Sequence, residues 1–143
     1  ALGLSGGRRT VCGRFGCAEL GVAEAVAGYS DGILLHLAAL AELRVLLGAP
    51  PEEWRVLQGP EVDLSGKVPD AVWEGSRGPW AVEVDLGYAL PRVRVKVRHY
   101  ARSFAGQVWG VTSPRRTSWL HLEALLVKAP IEVRLLDLPF EPC

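Results

Sequence analysis

VPDAVWEGSRGPWAVEVD, residues 68–85, contains two short apolar runs joined by a Gly-Ser-Arg-Gly turn, and the rest of the chain is arranged around it. In the second run, apolar residues alternate with Ala81, Glu83 and Asp85, which is the period of a β-strand with two different faces. The stretch therefore predicts an antiparallel pair of strands. The predicted strands are 68–74 and 79–86.

Three carboxylates accompany this pair of strands, with Asp70 early in the first strand and Glu83 and Asp85 late in the second. Acidic residues are poor strand formers, and two on one strand face repel each other. A hard cation would offset that repulsion, since Mg²⁺ binds through one or two carboxylates plus waters and phosphates. The alternative is a solvated outer face of an antiparallel sheet. Both interpretations stay open on these residues alone.

Length and composition describe one globular domain. The chain has 143 residues, of which 49% are hydrophobic and 22% charged, so it can bury a hydrophobic core. The sequence contains no run of 18 apolar residues, so a membrane span is not predicted, and it does not open with a basic, signal-like segment. We therefore expect a cytoplasmic protein without a membrane partner.

The net charge of zero conceals a segregation of charge along the chain. Residues 52–85 hold eight acids against three bases, whereas residues 86–122 hold no acid. An acidic hairpin followed by a basic stretch is what a metal site beside a phosphate-binding surface requires. The same pattern would also arise if two faces of the protein neutralised each other. The basic residues are Arg92, Arg94, Lys96, Arg98, Arg102, Arg115 and Arg116.

The cysteines do not form a disulfide framework by number or spacing, so we expect reduced thiols. Cys12 and Cys17 have a spacing that zinc tolerates, but no second Cys/His pair follows at a suitable distance. The nearest histidine, His36, lies inside an apolar helical pattern and is expected to be a packed core or helix-edge residue. Cys143 is the third cysteine.

Beyond the hairpin, the pattern predicts helices and strands in a definite order. Residues 1–28 predict a β-ribbon or the remnant of a preceding module. The later order is helix, three strands, helix, strand, helix, strand, which predicts a mixed sheet with helices on both faces. The elements besides the hairpin are a helix at 33–47 capped by Ser30 or Asp31, a strand at 54–57 and a loop through Gly66, a helix ending near Phe104, a strand at 107–112, a helix capped by Thr117 or Ser118 and a strand at 131–136.

The helix that ends near Phe104 has two distinct faces. Apolar residues at helical spacing predict one buried stripe. Arginines four residues apart form a separate row of cations, while Lys96 is either a site residue or a plain surface lysine beside the stripe. The stripe is Val93, Val97, Tyr100 and Phe104, and the row is Arg94, Arg98 and Arg102.

Three short motifs occur in this order of elements: Pro69-Asp70, Glu83-Val84-Asp85 and Lys96-Val97-Arg98-His99-Tyr100. In combination they resemble the PD-(D/E)XK nuclease superfamily and, within it, the replication-relaxation family of plasmids and mobile elements. The resemblance covers about residues 32–136 and implies a restriction-endonuclease-like αβββαβ core, an α/β fold with a mixed central sheet flanked by helices. It places that domain at 29–143, after an N-terminal extension at 1–28 that could be the remnant of a winged-helix wing.

The resemblance also implies a function, metal-dependent hydrolysis of DNA phosphodiester bonds in the replication of a plasmid or mobile element. Asp70 and Glu83 would bind Mg²⁺ or Mn²⁺, assisted by Asp85 and Glu42, and Lys96 would orient the attacking water. Arginines would hold the DNA backbone without reading its sequence. These are Arg92, Arg94, Arg98, Arg102, Arg115 and Arg116.

One departure from the superfamily pattern keeps a second function open. The pattern has a lysine two residues after the glutamate, where this chain has Asp85, and Lys96 would have to replace that lysine from the next helix. The alternative is a catalytically inactive domain of the same fold that binds DNA or a protein partner in replication control, as a homodimer or with a replication protein. A third reading is a plain interaction domain whose acidic face meets a basic partner.

Overall fold

The computed structural model describes residues 6–13, 16–23, 26–57 and 67–138. These residues form a two-stranded and a five-stranded sheet with three α-helices and one short 3-10 helix. The elements are β1 (Gly6–Gly13), β2 (Gly16–Ala23), α1 (Asp31–Leu47), the 3-10 helix Pro51–Glu53, β3 (Trp54–Val56), β4 (Ala71–Gly75), β5 (Gly78–Asp85), α2 (Leu90–Ser103), β6 (Gly106–Val111), α3 (Pro114–Leu126) and β7 (Ile131–Leu135).

The five-stranded sheet runs in the order β3-β4-β5-β6-β7. The pairs β3–β4 and β4–β5 are antiparallel, while the pairs β5–β6 and β6–β7 are parallel and are connected by the crossover helices α2 and α3. The predicted order of elements and the mixed sheet are therefore confirmed. Most of the loop expected before the hairpin, residues 58–66, lies outside the described residues.

β5 is the central strand, and its two faces pack against different helices. Val82 and Val84 join Leu40 and Leu43 of α1 in one core cluster. Ala81 lies on the other face and belongs to the cluster that α2 covers. Glu83 and Asp85 share the face of Ala81, where they are 0% and 2% exposed. The interpretation of these acids as a solvated sheet face is therefore wrong.

Local chemistry sets the ends of the helices. Ser30 caps α1 as predicted, by accepting a hydrogen bond from Ile33 N, and Gly48 ends it in the left-handed conformation at φ 63°. α3 begins earlier than expected, because Ser113 rather than Thr117 or Ser118 caps it and Pro114 occupies its first turn. Within the described residues, no helix has the length and apolar character needed to cross a membrane.

The N-terminal strands form an antiparallel β-ribbon that packs on the start of α1. Val11 and Val22 of the ribbon share a core cluster with Leu34 and Leu35 of α1. The β-ribbon expected for this region is confirmed, while its relation to a winged-helix wing stays a prediction.

A disulfide joins Cys12 and Cys17 across the ribbon. The two residues are directly opposite each other in the register of β1 and β2, which brings their Cα atoms to 4.1 Å. The prediction of reduced thiols was therefore wrong for these two residues, because it considered spacing along the chain and not the pairing of a hairpin. Cys143 lies outside the described residues.

Replacing Cys12 and Cys17 together by serine is expected to lower the free energy of unfolding by about 2 kcal/mol, the loop-closure value for so short a crosslinked loop. The measurement is urea unfolding of wild type and variant. Dithiothreitol should lower the wild-type midpoint and leave the variant unaffected. An unchanged midpoint in the variant would show that the crosslink adds no stability.

Candidate functional site

Asp70 lies immediately before β4, where the antiparallel register that pairs Ala71 with Val82 brings it opposite Glu83. Its side chain is 1% exposed, and its Oδ2 accepts a hydrogen bond of 2.8 Å from Val84 N. Oδ1 is buried and has no hydrogen-bond partner among the described residues. A buried carboxylate oxygen without a partner is costly, and it is where a bound group would fit.

The two carboxylate oxygens of Glu83 differ in their partners, an ion pair at Oε1 and a hydrogen bond at Oε2. Lys96 Nζ lies 2.9 Å from Oε1, and the hydroxyl of Tyr100 donates a 2.8 Å hydrogen bond to Oε2. Burial and the negative charge of Asp70 raise the pKa of Glu83 to about 8, although Lys96 and Tyr100 act in the opposite direction. Glu83 is therefore a carboxylate whose charge state changes near neutral pH.

α2 supplies both partners of Glu83 because Lys96 and Tyr100 are one turn apart. The predicted apolar stripe is confirmed, since Val93, Val97 and Tyr100 are fully buried. Lys96 is also buried, at 1% exposure, so its interpretation as a plain surface lysine is wrong. Tyr100, expected to be a core residue, is one and in addition contacts the site.

Asp85 is held by other groups. Arg116 Nε lies 3.0 Å from Oδ2, and the backbone N–H groups of Gly87 and Tyr88 donate to Oδ1. Its carboxylate therefore closes the turn between β5 and α2 and anchors α3.

Two of the predicted metal ligands are thus not grouped with Asp70 and Glu83. Asp85 is engaged by Arg116. Glu42 is half-buried on α1, and among the described residues no hydrogen bond or ion pair joins it to the other acids. The described part of the chain holds no group of three His, Cys, Asp or Glu side chains arranged to hold a metal ion. The candidate ligand set reduces to Asp70 and Glu83.

His36 reaches the site from α1, which the sequence did not predict. Its Nε2 lies 3.4 Å from Asp70 Oδ2 and 3.1 Å from the hydroxyl of Tyr88. Burial lowers the pKa of His36, but the charges of Asp70 and Glu83 and the backbone of Val84 outweigh it, so the pKa is raised. The sequence contained a signal that His36 faces the sheet, because it precedes Leu40 and Leu43 at the spacing of one helix face.

The arginines predicted to bind DNA fall into two groups. Arg94 and Arg116 are engaged by carboxylates, at 3.0 Å from Glu123 and 3.0 Å from Asp85 respectively. The others are exposed, and on α2 they lie on the outer side whereas Lys96 is buried. The exposed arginines are Arg92, Arg98, Arg102 and Arg115.

A cleft of about 550 Å³ opens two residues beyond Glu83, at the carboxyl ends of β5 and β6. Asp85, Tyr88 and Arg116 line it, together with the residues at the start of α2 and those just before α3. Tyr88 connects this cleft to the carboxylates, because its hydroxyl contacts His36. Burial and the charge of Asp70 raise the pKa of that hydroxyl, so it is protonated at neutral pH.

Comparison with known proteins adds one finding. No curated protein and no solved structure gives a significant match to this chain. A family model described as replication-relaxation matches residues 20–113, which is more than half of the chain and includes His36, Asp70, Glu83 and Lys96. The chain therefore belongs to the replication-relaxation family.

Proposed function

We propose that this protein is a metal-dependent deoxyribonuclease with a PD-(D/E)XK-like core, acting in the replication of a plasmid or mobile element. Membership in the replication-relaxation family suggests the replication role. The proposal of catalysis is carried by one observation, the joint burial of Asp70, Glu83 and Lys96, in which Lys96 Nζ lies 2.9 Å from Glu83 and the charge of Asp70 acts on Glu83.

A contribution to the stability of the fold is a poor explanation for burying such a cluster. Removing ions from water costs several kcal/mol for each, and a buried ion pair often stabilises a fold less than apolar residues of the same size. Here two carboxyl groups are buried beside one ammonium group, so the cluster becomes net negative once Glu83 loses its proton. Buried groups with a perturbed pKa beside a cleft are typical of functional sites.

A divalent cation would offset the negative charge that the cluster carries when Glu83 is ionised. Mg²⁺ binds through one or two carboxylates and keeps several waters, and Asp70 offers a buried oxygen without a partner. Asp70 and Glu83 would hold Mg²⁺ or Mn²⁺, and the ion would supply Lewis-acid stabilisation of the phosphate charge and a more acidic bound water.

The remaining groups of the site would orient the attacking water and balance the charge of the carboxylates. Tyr100 fixes one oxygen of Glu83, which leaves the other oxygen, beside Lys96, to change partners. The ammonium group of Lys96 would then orient the attacking water or stabilise negative charge on the phosphate, as the lysine of the superfamily pattern does. Asp85, which occupies the position of that lysine, is held by Arg116 and does not compete for this role.

DNA is the proposed substrate because exposed arginines lie along α2 and at the start of α3. The guanidinium carbon of Arg92 lies 4.7 Å from the centre of the ring of Tyr88, which lines the cleft, and Arg98 and Arg102 follow along the helix. Phosphate contacts of this kind give affinity that does not depend on sequence and weakens with salt.

Asp70→Ala and Glu83→Ala are each expected to reduce the rate of DNA cleavage about 100-fold or more, because each removes a carboxylate that would hold the ion that stabilises the transition state. The measurement is nicking of supercoiled plasmid DNA with Mg²⁺ or Mn²⁺, and with EDTA as a blank. Glu74→Ala is the matched control, since Glu74 is an exposed acid of β4 whose contact is a surface ion pair with Arg55.

Cleavage that survives both substitutions would exclude the proposed centre. Loss of cleavage in the Glu74 variant as well would indicate that a general effect on the fold, and not the site, is being measured. A change confined to the Asp70 and Glu83 variants supports the proposal.

The second candidate function is a catalytically inactive domain that binds DNA or a protein partner in replication control, including a second copy of this chain. The observation that favours it is the internal neutralisation of the site: Lys96 pairs with Glu83, and Arg116 pairs with Asp85. Binding of DNA without cleavage, weakening steeply with salt, would support this function over the first.

A further inference from the structure

His36 occupies a position between two polar groups of the site. It lies on the sheet-facing side of α1, and its side chain is 21% exposed. One ring nitrogen, Nε2, is 3.4 Å from Asp70 Oδ2 and 3.1 Å from the hydroxyl of Tyr88. A histidine that only filled the core would not need two polar partners at the same nitrogen.

The contacts of His36 and of the sheet fall on the same oxygen of Asp70. Val84 N–H donates to Oδ2 at 2.8 Å, and His36 approaches that atom from the helix side. Two contacts on one oxygen fix the rotation of the carboxylate, so the identity of the remaining oxygen is fixed as well. That oxygen, Oδ1, is buried and has no hydrogen-bond partner among the described residues, and the same holds for Oε1 of the neighbouring Glu83.

Tyr88 holds the imidazole from the other side and is itself fixed at the backbone. Its N–H donates to Asp85 Oδ1 at 2.8 Å, and its carbonyl accepts a 2.8 Å hydrogen bond from Arg116. The hydroxyl of Tyr88 is therefore a stationary partner for His36. The chain of contacts runs from the turn after β5 through Tyr88 and His36 to Asp70.

We infer that His36 is a positioning residue, which holds Oδ2 of Asp70 so that Oδ1 stays available for a divalent cation. The inference rests on the proposed function. His36 itself is not assigned as a ligand, because its contacts are to Asp70 and Tyr88 and the described residues contain no three-residue metal cluster. Groups that orient a metal ligand in this way typically change metal affinity 10- to 100-fold when removed.

The test is titration of the purified protein with Mn²⁺, followed by calorimetry and by the electron paramagnetic resonance signal of the free ion. His36→Ala is expected to weaken Mn²⁺ binding about 10-fold. His36→Gln places an amide N–H close to the position of Nε2 and is expected to restore affinity to within about 3-fold of wild type. Tyr88→Phe, which removes only the hydroxyl, is expected to give an intermediate loss.

His121→Ala is the matched control, because His121 is exposed on α3 and distant in sequence from the site, and it should bind as wild type does. Equal affinity of wild type and His36→Ala would overturn the inference while leaving the proposed metal site intact. A glutamine variant as weak as the alanine variant would overturn positioning by a hydrogen bond. No binding of Mn²⁺ to wild type would overturn the proposed function, and the inference with it.

Discussion

Lys96→Met is expected to lower the free energy of unfolding by about 3 kcal/mol at pH 9, the cost of breaking a buried ion pair by removing one partner. Methionine keeps most of the volume of the lysine stem, so the loss reports the ammonium group and not a cavity. At pH 9 Glu83 is ionised in wild type, since its pKa is about 8, and the variant leaves that buried charge without its cation. At pH 5.5 Glu83 is protonated, and the loss should be much smaller. Chemical unfolding at both pH values measures the difference.

The double variant Lys96→Met with Glu83→Gln is the control for this prediction. Glutamine keeps an oxygen that can accept from Tyr100, and neither residue is then charged, so stability at pH 9 should return to within about 1 kcal/mol of wild type. Glu83→Gln alone leaves the Lys96 cation buried and should be destabilised. A double variant no more stable than Lys96→Met would show that the two residues are not energetically coupled.

The fold could be predicted from the sequence wherever a local signal was strong. The alternation from Trp80 to Leu86 fixed the central strand, and Ser30 and Gly48 marked the ends of α1. The start of α3 was predicted too late, because three hydroxyl residues compete for its cap. Pro114 favours Ser113 through its fixed φ. The Cys12–Cys17 disulfide depends on hairpin register, which a composition argument does not contain.

The candidate site was predictable only in the part that lies on regular elements. Asp70 and Glu83 are brought together by strand register, and Lys96 and Tyr100 reach Glu83 by helical spacing. The contact between His36 and Asp70 joins residues 34 positions apart, and no local pattern encodes how α1 docks on the sheet.

The pairing of Asp85 with Arg116, and not with the other acids of the site, could not be predicted for the same reason. Its partner Arg116 belongs to α3, and only the packing of α2, α3 and the turn after β5 brings the two side chains together. The charge segregation in the sequence was real, but its basic half includes residues that neutralise the acidic half inside the fold. A sequence count of arginines therefore overstates the exposed cations, since Arg94 and Arg116 among the six predicted are paired with carboxylates.

The wild-type protein, free of metal, is expected to lose stability as pH rises from 5 to 8, by on the order of 4 kcal/mol. Glu83 titrates near its ordinary value of 4.5 when unfolded and at about 8 when folded, so between these values the native state binds the extra proton. The stabilisation that this proton contributes is fully present below pH 4.5 and is lost as pH rises through 8. The raised pKa of His36 acts with the same sign above pH 6.5.

Urea unfolding at half-unit pH steps measures this slope, and Glu83→Gln isolates its origin. The variant should keep only the smaller decline that His36 produces. A wild-type free energy of unfolding that is constant or rises between pH 5 and 8 would show that Glu83 is ionised throughout, and that Lys96 and Tyr100 outweigh burial.

Because Glu83 binds a proton up to about pH 8, metal binding at this residue would compete with protonation. If Glu83 is a ligand it must lose its proton first, so Mn²⁺ affinity should be about 100-fold weaker at pH 6 than at pH 8.5, two pH units below a pKa of about 8. Added Mn²⁺ should therefore raise the melting temperature far more at pH 8.5, where the metal-free protein is least stable. An increase of equal size at both pH values would remove Glu83 from the ligand set. The cluster of Asp70, Glu83 and Lys96 would then be structural, because a centre that binds Mn²⁺ without displacing a proton cannot include a carboxylate whose pKa is raised to about 8.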